Sequence, residues 1–219
     1  MSDAVKTSRK YDSRRRQQQA ERTRHDIVES AHSLFADRGY IGTTMTDIAD
    51  AAEVAVETIY RGFGSKAALF AEVVEAAVAG GAQRAQRPID QRPAIRAVMD
   101  EPDPRLQIER YVATQPGIHQ RLGPLVHALR AAADVEEQLA DVWERLENQR
   151  LDGMGRFAQL LADRGALQED LSVEDARDVL WTLNSHDVYD KLVEQRGWTA
   201  QHYQRWLTDT LTFALLTSN

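Results

Sequence analysis

Apolar residues recur along most of the chain at intervals of three and four positions, which is the spacing of one buried helix face. Ile27, Ala31, Leu34 and Phe35 follow this spacing and predict a first helix over residues 19–38. No segment alternates apolar and polar residues between turn signals, as a half-buried strand would. The sequence therefore predicts an all-α fold.

Three shorter helices are predicted to follow the first. Gly39 stands where a helix commonly ends in a left-handed residue. Thr44, with Asp47 three residues later, predicts a reciprocal cap at the start of the second helix. The third helix is expected at about residues 56–62, and Ser65 is the expected N-cap of the fourth.

The remainder of the chain is predicted to be helical after one irregular stretch. Residues 80–104 contain two consecutive glycines and four prolines and are the best candidate for a domain boundary. In the helices that follow, breaks or kinks are expected at Pro116 and Pro124. A long helix is expected over about residues 135–164, and Thr199 opens the last helix.

The composition favours a folded protein of the reducing cytoplasm. Of 219 residues, 42% are hydrophobic and 28% charged, which is enough apolar surface for a buried core. The chain has no cysteine, which excludes a disulfide framework and a thiol nucleophile. No apolar run of about 18 residues is present, and the N-terminus lacks the apolar core of a secretory signal. We therefore expect a cytoplasmic protein with no membrane partner.

The net charge of −7 conceals a basic N-terminal arm. Residues 1–24 carry eight Lys and Arg against three acidic residues. Residues 1–18 are polar and aperiodic and are predicted to form a flexible arm. Contact with DNA phosphates and a merely solubilising role remain open for this arm.

Residues 43–70 combine two short predicted helices and a tight turn, which is the pattern of a helix-turn-helix. This motif places its second helix in the DNA major groove, with residues near the start of that helix facing base edges. Ala49 is small enough for close helix approach, and Val54 and Ile59 can fill the core between the helices. An ordinary three-helix core without a DNA role would share this pattern.

The residue identities in this region narrow the choice. The sequence FADRG at residues 35–39 is followed by Tyr40, Thr43, Thr44, Asp47, Ile48, Ala49, Val54, Thr58, Ile59, Tyr60, Phe63, Ser65, Lys66 and Leu69. In this order and spacing, residues 20–70 resemble the N-terminal DNA-binding domain of TetR-family transcriptional regulators. The length and the helical body agree with the larger ligand-binding and dimerisation domain of that family. The resemblance implies a helix-turn-helix domain at residues 19–66 and an effector-binding and dimerisation domain at residues 67–219.

The resemblance also implies which residues face DNA. The positions that correspond to contacts with phosphates or base edges are Thr44, Val56, Glu57, Thr58, Tyr60, Arg61 and Lys66. A lysine at the N-terminus of a helix adds a charge to backbone N–H groups that already attract phosphate. Three of these assignments have structural alternatives: Thr44 as a cap, Tyr60 as a core residue and Arg61 as a solvated surface residue.

Three residues depart from the family pattern. Glu53 stands at the turn position where glycine is usual, and a left-handed residue with a side chain costs about 1 kcal/mol. Ala55 replaces a capping Ser or Thr, so the third helix should lack a side-chain cap. Gly62 replaces a bulky residue before Phe63, which removes one expected phosphate contact.

The family resemblance implies a homodimer formed through the last two helices. The apolar stripe of the last helix fits that use and consists of Tyr203, Trp206, Leu207, Thr210, Leu211 and Ala214. Burial of this stripe within its own subunit is the alternative. A two-fold symmetric dimer would bind a pseudo-palindromic DNA operator.

An effector pocket is expected in the larger domain. Its candidate residues are the polar and aromatic residues that interrupt apolar helix faces: Tyr111, His119, His127, Trp143, Trp181, Asn184 and His186. For each of these residues, core packing or a satisfied buried hydrogen bond is the favoured alternative to ligand contact. No residues show the spacing of a metal site, so no metal and no cofactor are expected.

Enzymatic function is not indicated by any motif. The sequence contains no G-x-S-x-G elbow, H-E-x-x-H or P-loop, and the glycine-rich segment at residues 62–67 follows a predicted helix where a dinucleotide site needs a strand. We expect a DNA-binding transcriptional regulator and not an enzyme. Its expected form is a repressor that a small-molecule effector releases from its operator. The alternatives are control by a protein partner and a small helical enzyme with an incidental helix-turn-helix.

Overall fold

The structure is a computed structural model that describes residues 3–133 and 136–217. The side chains of residues 3–14 and 133 lie outside the described part. The described residues are almost entirely helical, with an isolated antiparallel bridge between Leu167 and Leu216. The all-α prediction is confirmed. The chain divides into two compact units, residues 1–85 and 86–219.

The first unit is built from α-helices joined by short turns. Its helices are α1 (Asp3–Arg38), α2 (Met45–Ala51), α3 (Val56–Phe63), α4 (Lys66–Ala79) and α5 (Ala82–Ala85). The sequence assigned residues from 67 onward to the second domain, whereas α4 and α5 pack with α1 in the first unit.

Helix α1 begins far earlier than the predicted residue 19. Its backbone is helical from Asp3, so the predicted start of the first helix at residue 19 is wrong. The flexibility expected of residues 1–18 stays a prediction. Lys, Arg, Gln and Ala are good helix formers, and this segment contains no Gly or Pro. Apolar periodicity reveals only the part of a helix that is buried, and so it missed this extension. The side chains of Lys6, Arg9, Lys10 and Arg14 lie outside the described part.

The core of the first unit is an aromatic cluster between α1 and α4. The Phe35 and Phe70 rings meet edge to face with centroids 4.9 Å apart, and Tyr40 meets Phe70 at 5.3 Å. Buried Thr43 donates its hydroxyl proton at the C-terminal end of α1, where the Leu34 and Gly39 carbonyl oxygens lie 3.1 and 2.9 Å away. The aromatic cluster and the hydrogen bonds of the Thr43 hydroxyl fix the turn that leads into α2.

The second unit contains six α-helices among its described residues. They are α6 (Pro93–Met99), α7 (Pro104–Ala133), α8 (Glu137–Asp163), α9 (Val173–Leu183), α10 (His186–Tyr189), which continues into a π-helical turn (Asp190–Gln195), and α11 (Ala200–Leu215). A short 3₁₀ turn (Ile89–Gln91) precedes α6.

Helix α7 passes through both prolines at which breaks were expected. Pro116 and Pro124 lie inside one continuous helix, so neither proline breaks it, and a kink at either position stays a prediction. A proline within a helix costs about 3 kcal/mol because it removes a hydrogen bond and crowds the preceding turn. Burial of apolar side chains along α7, such as the fully buried Leu125 and Leu129, opposes that cost.

Helix α11 packs into the core of its own unit. Tyr203, Leu207 and Leu211 are completely buried there, so their assignment to a dimer interface is wrong. The other predicted interface residues, Trp206, Thr210 and Ala214, are half-buried. An amphipathic stripe shows that a helix face is covered, but it does not show by which chain.

Helices α8 and α9 form an antiparallel pair. The Arg150 guanidinium lies over the Trp181 ring at 4.8 Å, while Gly155, farther along α8, faces Arg177 of α9. An open groove of about 330 Å³ runs over the pair. It is lined by Glu147, Asn148, Leu151, Asp178, Trp181 and Thr182.

Candidate DNA-binding surface and buried polar cluster

The N-terminus of α2 is closed by the predicted reciprocal cap. The Asp47 N–H donates to Thr44 Oγ1 at 3.0 Å, and the Thr44 N–H donates to Asp47 Oδ2 at 2.9 Å. The Thr44 hydroxyl also donates to Asp47 Oδ2, at 2.6 Å, and this bond and the one from the Thr44 N–H lower the pKa of the Asp47 carboxyl. Thr44 is exposed, so it caps α2 and still presents its side chain to a ligand.

The turn between α2 and α3 has the strain that the sequence predicted. Glu53 adopts φ = 53°, the left-handed conformation that disfavours side chains by about 1 kcal/mol. Ala55 is the N-cap of α3 and makes no side-chain cap hydrogen bond. Helix α3 therefore begins from a strained turn without a side-chain cap.

Helix α3 exposes a continuous face next to this turn. Ile59 is fully buried and anchors the helix, whereas Tyr60 is 51% exposed. The alternative that Tyr60 is a core residue is thereby wrong. Glu57 and Arg61 are also exposed, and the Arg61 guanidinium reaches Thr58 Oγ1 at 3.5 Å.

Helix α4 begins three residues after the end of α3, and its N-terminus also has a defined cap. Ser65 caps the helix, as predicted, by accepting the Ala68 N–H at 3.1 Å. The ammonium of Lys66 lies 4.1 Å from the centroid of the Tyr40 ring. This cation–π contact places a positive charge at the helix N-terminus, where backbone N–H groups attract anions.

The second unit contains a buried hydrogen-bonded cluster centred on Asn184, the C-cap of α9. Asn184 is 2% exposed, and its amide nitrogen donates to the Tyr111 hydroxyl and to Gln115 Oε1, both at 2.8 Å. Its oxygen lies 3.1 Å from His119 Nε2 and 3.5 Å from the Tyr203 hydroxyl. We call these five residues the Asn184 cluster.

Burial keeps His119 of the Asn184 cluster neutral. Its ring stacks on Tyr189 with centroids 4.6 Å apart. Desolvation lowers the pKa of His119 to about 4, against the smaller opposing effect of the hydrogen bond to Asn184. Because Nε2 faces the Asn184 oxygen, Nδ1 is the acceptor, and it has no hydrogen-bond partner among the described residues.

A second imidazole extends this cluster toward the surface. The His186 ring lies 5.7 Å from His119 and 5.6 Å from His127, and burial lowers its pKa. It occupies space that a side chain at Gly123 would fill, since a Cβ there would lie 2.8 Å from the ring. His127 is mostly exposed and lies 3.7 Å from Asp190.

The structure thus joins five of the seven candidate effector residues: Tyr111, His119, His127, Asn184 and His186. Trp143 lies beneath the Arg130 guanidinium at 4.9 Å, and Trp181 lies on the α8–α9 pair. Sequence reasoning missed Gln115 and Tyr189, and it placed Tyr203 in a different site. Helical spacing was the available signal, because Tyr111, Gln115 and His119 are each four residues apart on α7.

The described ranges show neither a candidate metal site nor a candidate membrane span. Over residues 3–133 and 136–217, no three His, Asp or Glu side chains are grouped to hold a metal ion. In that same part of the chain, no helix combines the length and apolar character needed to cross a membrane.

The helix-turn-helix region matches a known protein family. Residues 27–73 match the family model for bacterial regulatory proteins of the tetR family. The chain is 27% identical over 176 residues to the HTH-type transcriptional repressor BepR of Brucella suis, covering 78% of this chain and 80% of BepR. Residues 27–73 therefore match a TetR-family DNA-binding domain, and the chain as a whole is similar to a transcriptional repressor.

Other TetR-family proteins agree with this assignment. The "Probable acrEF/envCD operon repressor" of Escherichia coli K12 is 42% identical over 60 residues, or 27% of each chain. The fold is similar to that of NalD, the secondary repressor of the MexAB-OprM multidrug efflux pump in Pseudomonas aeruginosa. That comparison has a TM-score of 0.68 at 22% identity and covers 91% of this chain and 100% of NalD. Together these matches support a DNA-binding transcriptional regulator.

Proposed function

We propose that the protein is a homodimeric repressor that binds a pseudo-palindromic operator and leaves it when a small molecule binds the second unit. The observation that carries this proposal is the exposed face of α3 within the region that matches the TetR model. Thr44, which caps α2, and Lys66, which begins α4, lie on either side of α3 in the sequence. The BepR, acrEF/envCD and NalD proteins are all named as repressors, which supports the repressing sense.

In the proposed complex, α3 enters the major groove. Val56, Glu57 and Thr58 at its start read base edges, and the exposed carboxylate of Glu57 is suited to accept from a cytosine amino group. The exposed Tyr60 and Arg61 reach the adjacent backbone. Thr44 and Lys66 bind phosphates at the N-termini of α2 and α4, where the helix dipole adds to the attraction.

The dimer is proposed to form through the outer face of the α8–α9 pair and not through α11. Half-buried Leu151 and Trp181 lie on this face, and the groove between the two helices can receive the same pair from a second copy. Two antiparallel helices from each subunit then form a four-helix bundle. Two-fold symmetry sets the two copies of α3 roughly 34–36 Å, or a multiple of it, apart.

The proposed effector site is the Asn184 cluster with its aromatic neighbours. The hydrogen-bonding groups are amide, phenol and neutral imidazole, and the Tyr111 ring stacks on Phe157 with centroids 4.6 Å apart. Such a lining suits a neutral molecule with a planar or apolar part and a few hydrogen-bonding atoms. The effector replaces hydrogen bonds of the cluster and favours a conformation that binds the operator weakly.

Replacing Lys66 with alanine tests the proposed DNA-binding surface. Because Lys66 is assigned to a phosphate, Lys66→Ala should weaken binding to operator and mixed-sequence DNA by similar factors. It should also lower the slope of log affinity against log salt by about one. Fluorescence anisotropy over a salt series measures both quantities.

Lys191→Ala is the matched control, since it removes the same charge from an exposed position in the second unit. It should leave the slope unchanged. An equal slope for wild type and Lys66→Ala would remove Lys66 from the phosphate contacts.

A further inference from the structure

The side chain of Arg24 turns inward from α1 and contacts both α3 and α4. Its Nη1 donates to the Gly62 carbonyl oxygen at 3.0 Å, and its Nε donates to Glu72 Oε1 at 2.7 Å. Its Nη2 donates to the second carboxylate oxygen of Glu72. The guanidinium lies 4.2 Å from the centroid of the Phe63 ring. The sequence had grouped Arg24 with the arginines of the basic arm, but three elements of the first unit meet at this one group.

These contacts use both the N–H groups and the flat face of the guanidinium. Glu72 receives two parallel hydrogen bonds, which fix the plane of the fork. The face of that plane covers Phe63, and the remaining edge satisfies a carbonyl in the last turn of α3. A lysine could not make these contacts together, because an ammonium is a point charge without a fork or a face.

Helix α3 has few other features that fix its direction. It has eight residues, begins without a side-chain cap and follows the strained Glu53. Ile59 is its one buried residue among those described. The Arg24 contacts hold the opposite end of the helix, at Gly62 and Phe63.

We propose that Arg24 and Glu72 are positioning residues for operator binding. Arg24 holds the C-terminal end of α3 at the angle that fits the operator, and Glu72 ties that position to α4. A change in α4 is therefore conveyed to the DNA-reading helix through this ion pair. The inference rests on the proposed function in that it assumes α3 reads the operator.

The role of a positioning residue differs measurably from that of a phosphate contact. A guanidinium that is paired with a carboxylate neutralises no phosphate and releases no DNA counterion, so its loss should leave the salt slope unchanged. Removal of Glu72 makes the contrast sharper. Long-range electrostatics alone predicts tighter binding when an acidic group is removed, whereas loss of positioning predicts weaker binding to the operator.

The test compares Arg24→Ala and Glu72→Gln with matched variants in the full chain. Arg22→Ala is the control for Arg24→Ala, because it removes a positive charge from an exposed position on α1. Glu75→Gln is the control for Glu72→Gln, because it removes a negative charge from an exposed position on α4. The probes are an operator duplex selected from fragmented genomic DNA and a mixed-sequence duplex of equal length. Thermal unfolding by circular dichroism confirms that each variant is folded.

Arg24→Ala and Glu72→Gln should each weaken operator binding by about 3- to 30-fold relative to their controls. Their salt slopes should be those of the wild type, and binding to mixed-sequence DNA should change little. The double variant should bind no more weakly than Arg24→Ala, because both changes remove one interaction. A slope lowered by about one for Arg24→Ala, or operator binding by Glu72→Gln as tight as by Glu75→Gln, would overturn the proposal.

A second measurement needs no DNA. Amide hydrogen exchange of α3 should be faster in Arg24→Ala and in Glu72→Gln than in their controls, because the helix end is released. Unchanged exchange in α3 would overturn the positioning role even if an operator is bound. If exchange is faster in the two variants but the wild type selects no operator, the Arg24 contacts hold α3 and the proposed function is wrong.

Discussion

Tyr203→Glu is expected to unfold the second unit, because position 203 is completely buried. The Tyr203 ring meets Tyr189 at 4.9 Å and His119 at 6.0 Å, and its hydroxyl lies 3.5 Å from the Asn184 oxygen. Removing a large buried aromatic side chain costs about 3–5 kcal/mol. A carboxylate in the same place adds the cost of a buried charge without a partner. Together these costs are comparable to the whole stability of a domain, about 5–15 kcal/mol.

Leu151→Glu is the control that separates folding from assembly. Leu151 is half-buried in the groove over α8 and α9, so glutamate there remains hydrated in a monomer and disrupts only a dimer. Far-UV circular dichroism and sedimentation should show a folded monomer for Leu151→Glu and lost helicity for Tyr203→Glu. A folded monomeric Tyr203→Glu protein would return the dimer interface to α11.

Acid is expected to destabilise the second unit through His119. Burial lowers its pKa to about 4, so between this value and the ordinary 6.5 the unfolded chain binds a proton that the folded chain does not. Stability therefore rises with pH across this window and is fully present above the unfolded value. A shift of this size corresponds to at most about 3 kcal/mol. Urea unfolding at a series of pH values measures it.

His119→Gln should flatten that pH dependence. Glutamine offers a donor to Asn184 but does not titrate, so part of the slope between pH about 4 and about 6.5 should disappear. The lowered pKa of His186, also caused by burial, leaves a residual slope of the same sign. His202→Gln is the control, because His202 is exposed. An unchanged slope in His119→Gln would show that His119 is not buried neutral.

Local signals correctly predicted how α2, α3 and α4 begin. The cap formed by Thr44 and Asp47, the cap at Ser65 and the uncapped Ala55 all depend on residues within a few positions of each other. Such short-range chemistry is written directly in the sequence. The left-handed turn at Glu53 was expected instead from the family resemblance, because glycine is usual at that position.

Features that depend on tertiary contacts were not predicted correctly. The stripe on α11 was correctly amphipathic, but only the fold shows that Tyr203 and Leu207 face their own core. Pro116 and Pro124 are locally unfavourable in a helix, yet α7 continues because its neighbours bury it. Arg24 was counted as one charge of a basic arm, and its partner Glu72 is 48 residues away.

The candidate effector residues were predicted only in part. Tyr111, His119 and Asn184 were singled out because polar groups interrupt apolar faces, and the structure brings these three into one cluster. Gln115 belongs to the same cluster but was missed, and Tyr203 was assigned to the dimer interface. A tyrosine in an apolar stripe looks like a core residue, and its hydroxyl partner on another helix is invisible to helical periodicity.

Selection of fragmented genomic DNA by the purified full chain, followed by sequencing, tests the proposed repressor function most directly. Mass spectrometry of the denatured sample first establishes that the protein carries no bound small molecule. The wild type should enrich one pseudo-palindromic sequence whose half-sites are about one helical turn or a multiple of it apart, and Lys66→Ala should enrich it weakly. Ligand-free wild-type protein that enriches no sequence, or one without two-fold symmetry, would contradict a dimeric operator-binding repressor.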